Sequence, residues 1–321
     1  MKHHLRKTKS FLKEKVVEPA FTVLDRIRYP GQEHLSALEI LRFFITGLQK
    51  GDIRSRASAA SFDFFLALFP AIIFFFTLIP YLPVPGIQDR IMLLMSEALP
   101  QSAFEATRTT IEDILKQPRG GLLSFGFIFA LFVSTNGVYY LIDGFNKSYH
   151  GIEVRSAIKQ RMVSVFLTLM LATIVIASIA LIIFTEIASR YLSEHDFIKN
   201  GPSIFMIQSG TWIILVFMAL TMISSMYYFG PSKKNKRPFI SVGSVTATIL
   251  LIVTTYAFNY IISNFGQYNK LYGSIGTLIV ILLYINFNTL QLIVGFELNA
   301  SIENAKSKAF QMNPKTHQVS K

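Results

Sequence analysis

Long apolar runs alternate along this chain with short charged segments. Five runs carry no charge at all: Gly120–Ile142, Met162–Thr185, Gly201–Ser232, Pro238–Asn269 and Leu271–Phe296. A sixth extends from Ala57 to about Leu82 and holds one carboxylate, Asp63. A hydrocarbon core about 30 Å thick takes about 20 apolar residues in a helix rising 1.5 Å per residue. The runs therefore predict an all-α polytopic membrane protein with six transmembrane helices, at about 57–82, 121–146, 162–185, 204–229, 240–262 and 272–299.

The polar segments complete the plan. Leu35, Leu38, Leu41, Ile45 and Leu48 recur at steps of three and four, which predicts a helix over about 34–49. With Arg42, Lys50, Arg54 and Arg56 close by, it reads either as an interfacial helix on the inner leaflet or as a packed cytoplasmic helix. Residues 1–33 are basic and broken at Tyr29-Pro30-Gly31, so 1–56 forms an amphipathic N-terminal cytoplasmic arm. Pro70 predicts a kink in the first span. The first outer loop, 83–120, reads as two short amphipathic helices broken at Pro100, and 301–321 as a polar cytoplasmic tail.

Charge distribution sets the expected orientation. Of the 31 Lys and Arg residues, 24 fall in alternate segments, counting from the N-terminal arm. Cytoplasmic loops retain such residues, so the pattern predicts both termini in the cytoplasm and anionic lipid headgroups as partners of the basic arm. It also accounts for a net charge of +12 without nucleic acid. Met1–Gly51 contains no early apolar core, which argues against a cleavable signal peptide.

The composition excludes much chemistry. There is no cysteine, hence no disulfide, thiolate zinc site or thiol nucleophile. The six histidines are scattered without metal-ligand spacing, so neither a metal nor a cofactor is expected. Neither a Gly-rich phosphate loop nor a nucleophile elbow occurs. The pattern is not that of a hydrolase.

Candidate chemistry lies in the polar residues of the spans. A carboxylate inside a membrane helix costs about 2.5–3.5 kcal/mol on insertion scales. Asp63, Asp143 and Glu297 all fall in the half of their spans assigned to the cytoplasm, where they would line an inward-facing acidic vestibule. Asn136 and Tyr139 share the helical stripe of Asp143, and Asn286 that of Glu297. A second reading stands beside this one: each acid pairs with Arg54, Arg56, Lys147 or Lys159 and fixes helix packing alone. At the outer end, Asn259, Tyr260, Asn264 and Tyr268 form either a polar mouth for a small solute or part of an aromatic belt.

Several segments resemble one family. Arg56-Ala57-Ser58-Ala59-Ala60-Ser61-Phe62 followed by Leu66-Ala67-Leu68-Phe69-Pro70 resembles the first-span signature of the YihY/BrkB family of bacterial inner-membrane proteins. So do Gly121-Leu122-Leu123-Ser124, Phe145-Asn146-Lys147-Ser148-Tyr149, Tyr272-Gly273-Ser274-Ile275-Gly276 and Gly295-Phe296-Glu297-Leu298-Asn299-Ala300. The resemblance covers about residues 35–305 in order. Asp63 departs from it, since the family usually has an aromatic there, often Tyr; Glu297 matches. The resemblance implies a six-span protein of the bacterial cytoplasmic membrane and a role in transporting or exporting a small solute. The family's old ribonuclease label finds no clustered His and Asp here to activate water. The residues leave two functions open: a transporter with a cavity between spans 1, 2 and 6, or a non-transporting envelope scaffold that binds anionic lipid or a partner.

Overall fold

The computed structural model describes residues 28–29, 32–78, 87–98, 120–148, 155–194, 201–232, 238–264 and 274–312, with scattered positions between 104 and 115. Two short strands, β1 (Arg28–Tyr29) and β2 (Gln32–Ser36), pair antiparallel ahead of the helices. The regular elements that follow them among the described residues are helices: α1 (Ala37–Lys50), α2 (Ile53–Leu78), α3 (Ile87–Ala98), α4 (Gly120–Asn146), α5 (Ala157–Glu194), α6 (Gly201–Phe229), α7 (Val242–Asn264) and α8 (Ser274–Met312).

Helix α1 starts three residues later than its periodicity suggests. Ser36 caps it, accepting a hydrogen bond from the Glu39 N–H at 3.2 Å, and the Ser-x-x-Glu spacing is that of a capping box. A tight link follows: Gly51 closes α1 through its N–H to the Gly47 carbonyl, and Asp52 takes a left-handed φ of 47° before α2 begins. Aspartate is among the few non-glycine residues that adopt this conformation readily. The Asp52 carboxylate accepts from Ser55 Oγ at 2.9 Å, which ties the turn to the first turn of α2.

The span count differs from the expectation. Among the described residues five helices, not six, are long and apolar enough to cross a bilayer: Ser124–Asn146, Ala157–Leu192, Phe205–Phe229, Val242–Tyr260 and Leu278–Lys308. The run from Ala57 does not join them. Its helix opens with Arg54, Arg56 and Asp63, and Pro70 lies inside it. Its small residues Ala57, Ala60, Ser61 and Ala67 are buried against protein. The six-helix count therefore falls. Of the two outer-loop helices, α3 is present; the one expected after Pro100 falls largely outside the described residues, as do the arm before Arg28 and the tail after Met312.

Six helices close a ring in the order α2, α4, α5, α6, α7, α8 and back to α2, while α1 lies across α8. Helix α2 runs antiparallel to α4. Arg56 meets Gly144 at one end, and further along a Cβ on Gly137 would fall 2.5 Å from the Phe64 ring, so glycine permits the approach. The outward faces of α5 and α6 carry exposed Ile176, Ile183, Phe184, Phe205, Met206 and Phe217, the face a bilayer covers.

Packing is densest at one end of the ring. Phe145 of α4 stacks on Phe296 of α8 with centroids 4.5 Å apart, and Tyr227 of α6 meets both edge-on at 5.4 and 5.7 Å. Leu141, Ile223, Ala247 and Ile293 surround this triad and are fully buried. The Tyr227 hydroxyl donates to the Leu292 carbonyl at 2.6 Å. Asn146 Oδ1 accepts from Ser232 N–H, and Asn299 bridges the Gly243 N–H and Ser241 Oγ. The basic segments lie at this same end: Arg54 and Arg56, Lys147, Arg155, Lys159, and Lys306 and Lys308.

Candidate functional site

The junction of α1, α2, α4 and α8 holds the most unusual chemistry of the basic end. Glu297 is fully buried, and its Oε2 lies 3.4 Å from Arg56 Nη2. Arg56 is itself only 9% exposed and donates from Nη1 to the Gly144 carbonyl at 2.7 Å. Its Nε is buried without a hydrogen-bond partner. Gly47 of α1 covers the carboxylate, leaving no room for a side chain. Desolvating two charges costs several kcal/mol each, so such a pair is rarely a net gain over an apolar one, while breaking it is expensive. The site holds Arg56 and Glu297 together across the α2–α8 contact.

The other acids stand apart from this pair. Asp143 is one-third exposed and pairs with Lys147, one turn on, at 2.7 Å. Asp63 is half-buried on α2 and forms no ion pair among the described residues. Asn136 accepts from Arg161 Nη1 at 2.8 Å, and Thr135 Oγ1 does so at 3.0 Å. The same guanidinium lies 4.9 Å from the Tyr139 ring centre and 5.2 Å from that of Phe132. Asn286 donates to Ser61 Oγ at 3.0 Å and to Ser58 Oγ at 3.4 Å, which ties α8 to α2. Sequence reasoning passed over Arg161 and Gly47. Arg161 reads as a loop charge until α5 is seen to begin at Ala157, and nothing in a sequence marks which partner a glycine lies against.

Two cavities lie in the half of the ring away from the basic residues. A cavity of about 520 Å³ opens between α6, α7 and α8, lined by Trp212, Val216, Ala219, Leu251, Val280 and Tyr284 among others, with Thr255 and Asn259 at its edge. A second, of about 290 Å³, lies between α5 and α6 and includes Thr185, Glu186, Ser189, Gln208 and Thr211. Trp212 and Leu215 line both. Of the expected outer mouth, Asn259 and Tyr260 are exposed on α7; the Asn264 side chain and the whole of Tyr268 lie outside the described residues. Among the described residues no group of three or more His, Asp or Glu is placed to hold a metal ion.

Comparison with known proteins agrees with the resemblance. A family model described as "Virulence factor BrkB" matches residues 44–319. The chain is 31% identical over 254 residues to a Bacillus subtilis protein named "Putative ribonuclease-like protein YfkH", covering 79% of this chain and 91% of the relative. It is 23% identical over 293 residues to a UPF0761 membrane protein of Psychrobacter, covering 89% of this chain and 52% of that one. A UPF0761 membrane protein of Histophilus somni is 23% identical over 271 residues, covering 83% and 91%. No solved structure matches.

Proposed function

Because the chain belongs to the virulence factor BrkB family of membrane proteins, we propose that it carries a small solute across the bacterial cytoplasmic membrane, between a cavity walled by α6, α7 and α8 and a closure formed by α2, α4 and α8 at the basic end. One observation supports this reading: among the described residues the ring is closed at its basic end and encloses a cavity toward the other. The Phe145–Tyr227–Phe296 triad and the Arg56–Glu297 pair close one end, while the 520 Å³ cavity lies toward the opposite one. Ligand sites commonly have volumes of about 300–1,000 Å³. A buried ion pair between separate helices suits a closure that must also open, and ionisable residues in membrane helices mark solute and proton paths by default. The basic end faces the cytoplasm in this reading, since Lys and Arg are retained there, and the arm before Arg28 meets anionic headgroups. Asp63 and Asn286 then lie on the α2 and α8 walls of the passage.

The test is release of solutes from proteoliposomes loaded with a panel of labelled amino acids, sugars, betaines and organic acids. At least one should leave faster than from protein-free liposomes. Glu297→Gln, which weakens the closure, should speed that release. If no member of the panel moves with either protein, the transport reading fails.

The pairing of Asp143 with Lys147 and of Glu297 with Arg56 favours a second reading. In it the protein is an envelope scaffold held to anionic lipid by its arm. Deletion of residues 1–33 then abolishes its cellular role, while Asp143→Asn leaves that role intact.

A further inference from the structure

The two cavities share a wall and differ in the polar side chains each one carries. The larger is aliphatic and aromatic almost throughout, formed by Val216, Ala219, Leu251, Ile252, Val280 and Ile281. The smaller offers Thr185, Ser189, Gln208 and Thr211 beside one carboxylate, Glu186. The Thr185 and Thr211 hydroxyls bond to each other at 3.0 Å, whereas Ser189 Oγ is buried with no hydrogen-bond partner. Glu186 is largely exposed and meets Arg190 at 3.3 Å, a pair that solvent screening keeps weak. Trp212 and Leu215 stand between the larger chamber and a smaller one that is also apolar over most of its surface but carries hydroxyls, an amide and a carboxylate.

Chemical complementarity selects the occupant. A polar solute gains nothing in the larger chamber, and a hydrocarbon leaves the hydroxyls, amide and carboxylate of the smaller one unused. A molecule with one alkyl chain and a hydrogen-bond-donating head fills both. Glu186 is the charged residue lining the pair of chambers, so the head it favours is cationic, and Ser189 Oγ offers such a head a further acceptor. We propose that the paired cavities bind a single-chain amphiphile with an ammonium head, its chain between α6, α7 and α8 and its head beside Glu186. The site stands whether or not the protein transports a solute.

The chain supplies its own reporter, because Trp212 is its single tryptophan and lies in the shared wall. Purified full-length protein in detergent is titrated with a mid-chain dibrominated alkylamine, and separately with the fatty acid brominated at the same carbons. Bromine quenches indole emission at close range. The alkylamine should quench saturably, with an apparent affinity about tenfold above that of the acid, a ratio equivalent to about 1.4 kcal/mol. Ala219→Phe, which fills the larger chamber, should remove the saturable part; Glu186→Gln should erase the preference between heads. If Ala219→Phe does not elute as a monodisperse peak, Val280→Phe on the facing helix serves instead. Quenching that rises linearly with probe and is unchanged by the filling variant means contact with bulk amphiphile only, and overturns the site. Saturable quenching indifferent to the head overturns the ammonium assignment.

Discussion

Gly47 on α1 lies directly over Glu297 on α8: a Cβ at position 47 would fall 2.5 Å from Oε1 and 3.0 Å from Cγ of the carboxylate. The same glycine's carbonyl accepts the Gly51 N–H that ends α1, so one residue both terminates the helix and seats it on the buried acid. Leu38 of α1 is buried, and Lys308 lies 5.5 Å from the Phe43 ring. The amphipathic helix is therefore packed on the bundle over its length, which favours the packed alternative over one lying only on lipid.

Gly47→Val should lift α1 off α8. Overpacking typically costs about 1–3 kcal/mol, and here the neighbour that must yield is a charged group held by Arg56. Unfolding in mixed detergent micelles should show a loss in that range, accompanied by faster proteolysis within 37–50. Unchanged protection of α1 would show that the helix is not seated as described.

The Arg56–Glu297 pair predicts a specific non-additivity. Arg56→Met alone leaves a buried carboxylate uncompensated, a loss of about 3–5 kcal/mol. Glu297→Leu alone strands the guanidinium at similar cost. The double variant should be more stable than either single one, because no buried charge remains. A double-mutant cycle measured by chemical unfolding settles this; costs that simply add would mean the two side chains do not interact. Asp143→Asn gives the contrast: its pair with Lys147 is exposed, and its removal should cost less than about 1 kcal/mol.

How much of this was legible beforehand differs from residue to residue. Five spanning helices follow from charge-free runs, since lipid tolerates little else over that length. The run from Ala57 misled because its apolar fraction resembles a span, whereas Ala57, Ala60 and Ala67 are small residues buried inside the bundle. Periodicity placed Asn286 and Glu297 on one face of α8 but is silent about neighbours; Asn286 meets α2 through Ser58 and Ser61, and Glu297 meets Arg56. The two-strand hairpin before α1 is too short and polar to show an alternating pattern. The cap of Ser36 on the Glu39 N–H starts α1 at Ala37, and hydrophobic periodicity alone, which begins the helix near His34, does not register it.

Close approach of α7 and α8 gives a further prediction. Gly243 and Gly295 face each other backbone to backbone, and a Cβ on Gly295 would also fall 2.6 Å from the Tyr227 hydroxyl and 2.8 Å from Ala247 Cβ. Gly295→Ala should push the helices apart, break the hydrogen bond from Tyr227 to Leu292 and lower stability by about 1–3 kcal/mol. Gly126 and Gly210 meet nothing within 4 Å. Alanine at either should leave stability unchanged or raise it by about 0.5–1 kcal/mol, the helix preference of alanine over glycine. Thermal unfolding of the three variants side by side provides the check, and equal effects would dismiss the packing account.

Arg161 ties α5 to α4 by geometry rather than by charge. Its Nη1 donates to both Thr135 Oγ1 and Asn136 Oδ1, while the guanidinium plane lies within about 5 Å of the Phe132 and Tyr139 ring centres. An ammonium keeps the charge and part of the ring attraction but lacks the planar fork that reaches two acceptors. Arg161→Lys should therefore cost about 1–2 kcal/mol, close to the worth of one or two hydrogen bonds, and Arg161→Ala more. Asn136→Leu in the Arg161→Lys background should cost little beyond the lysine change, because the bond it would break is already gone. A full additional loss in that double variant would mean that Asn136 acts through some other partner.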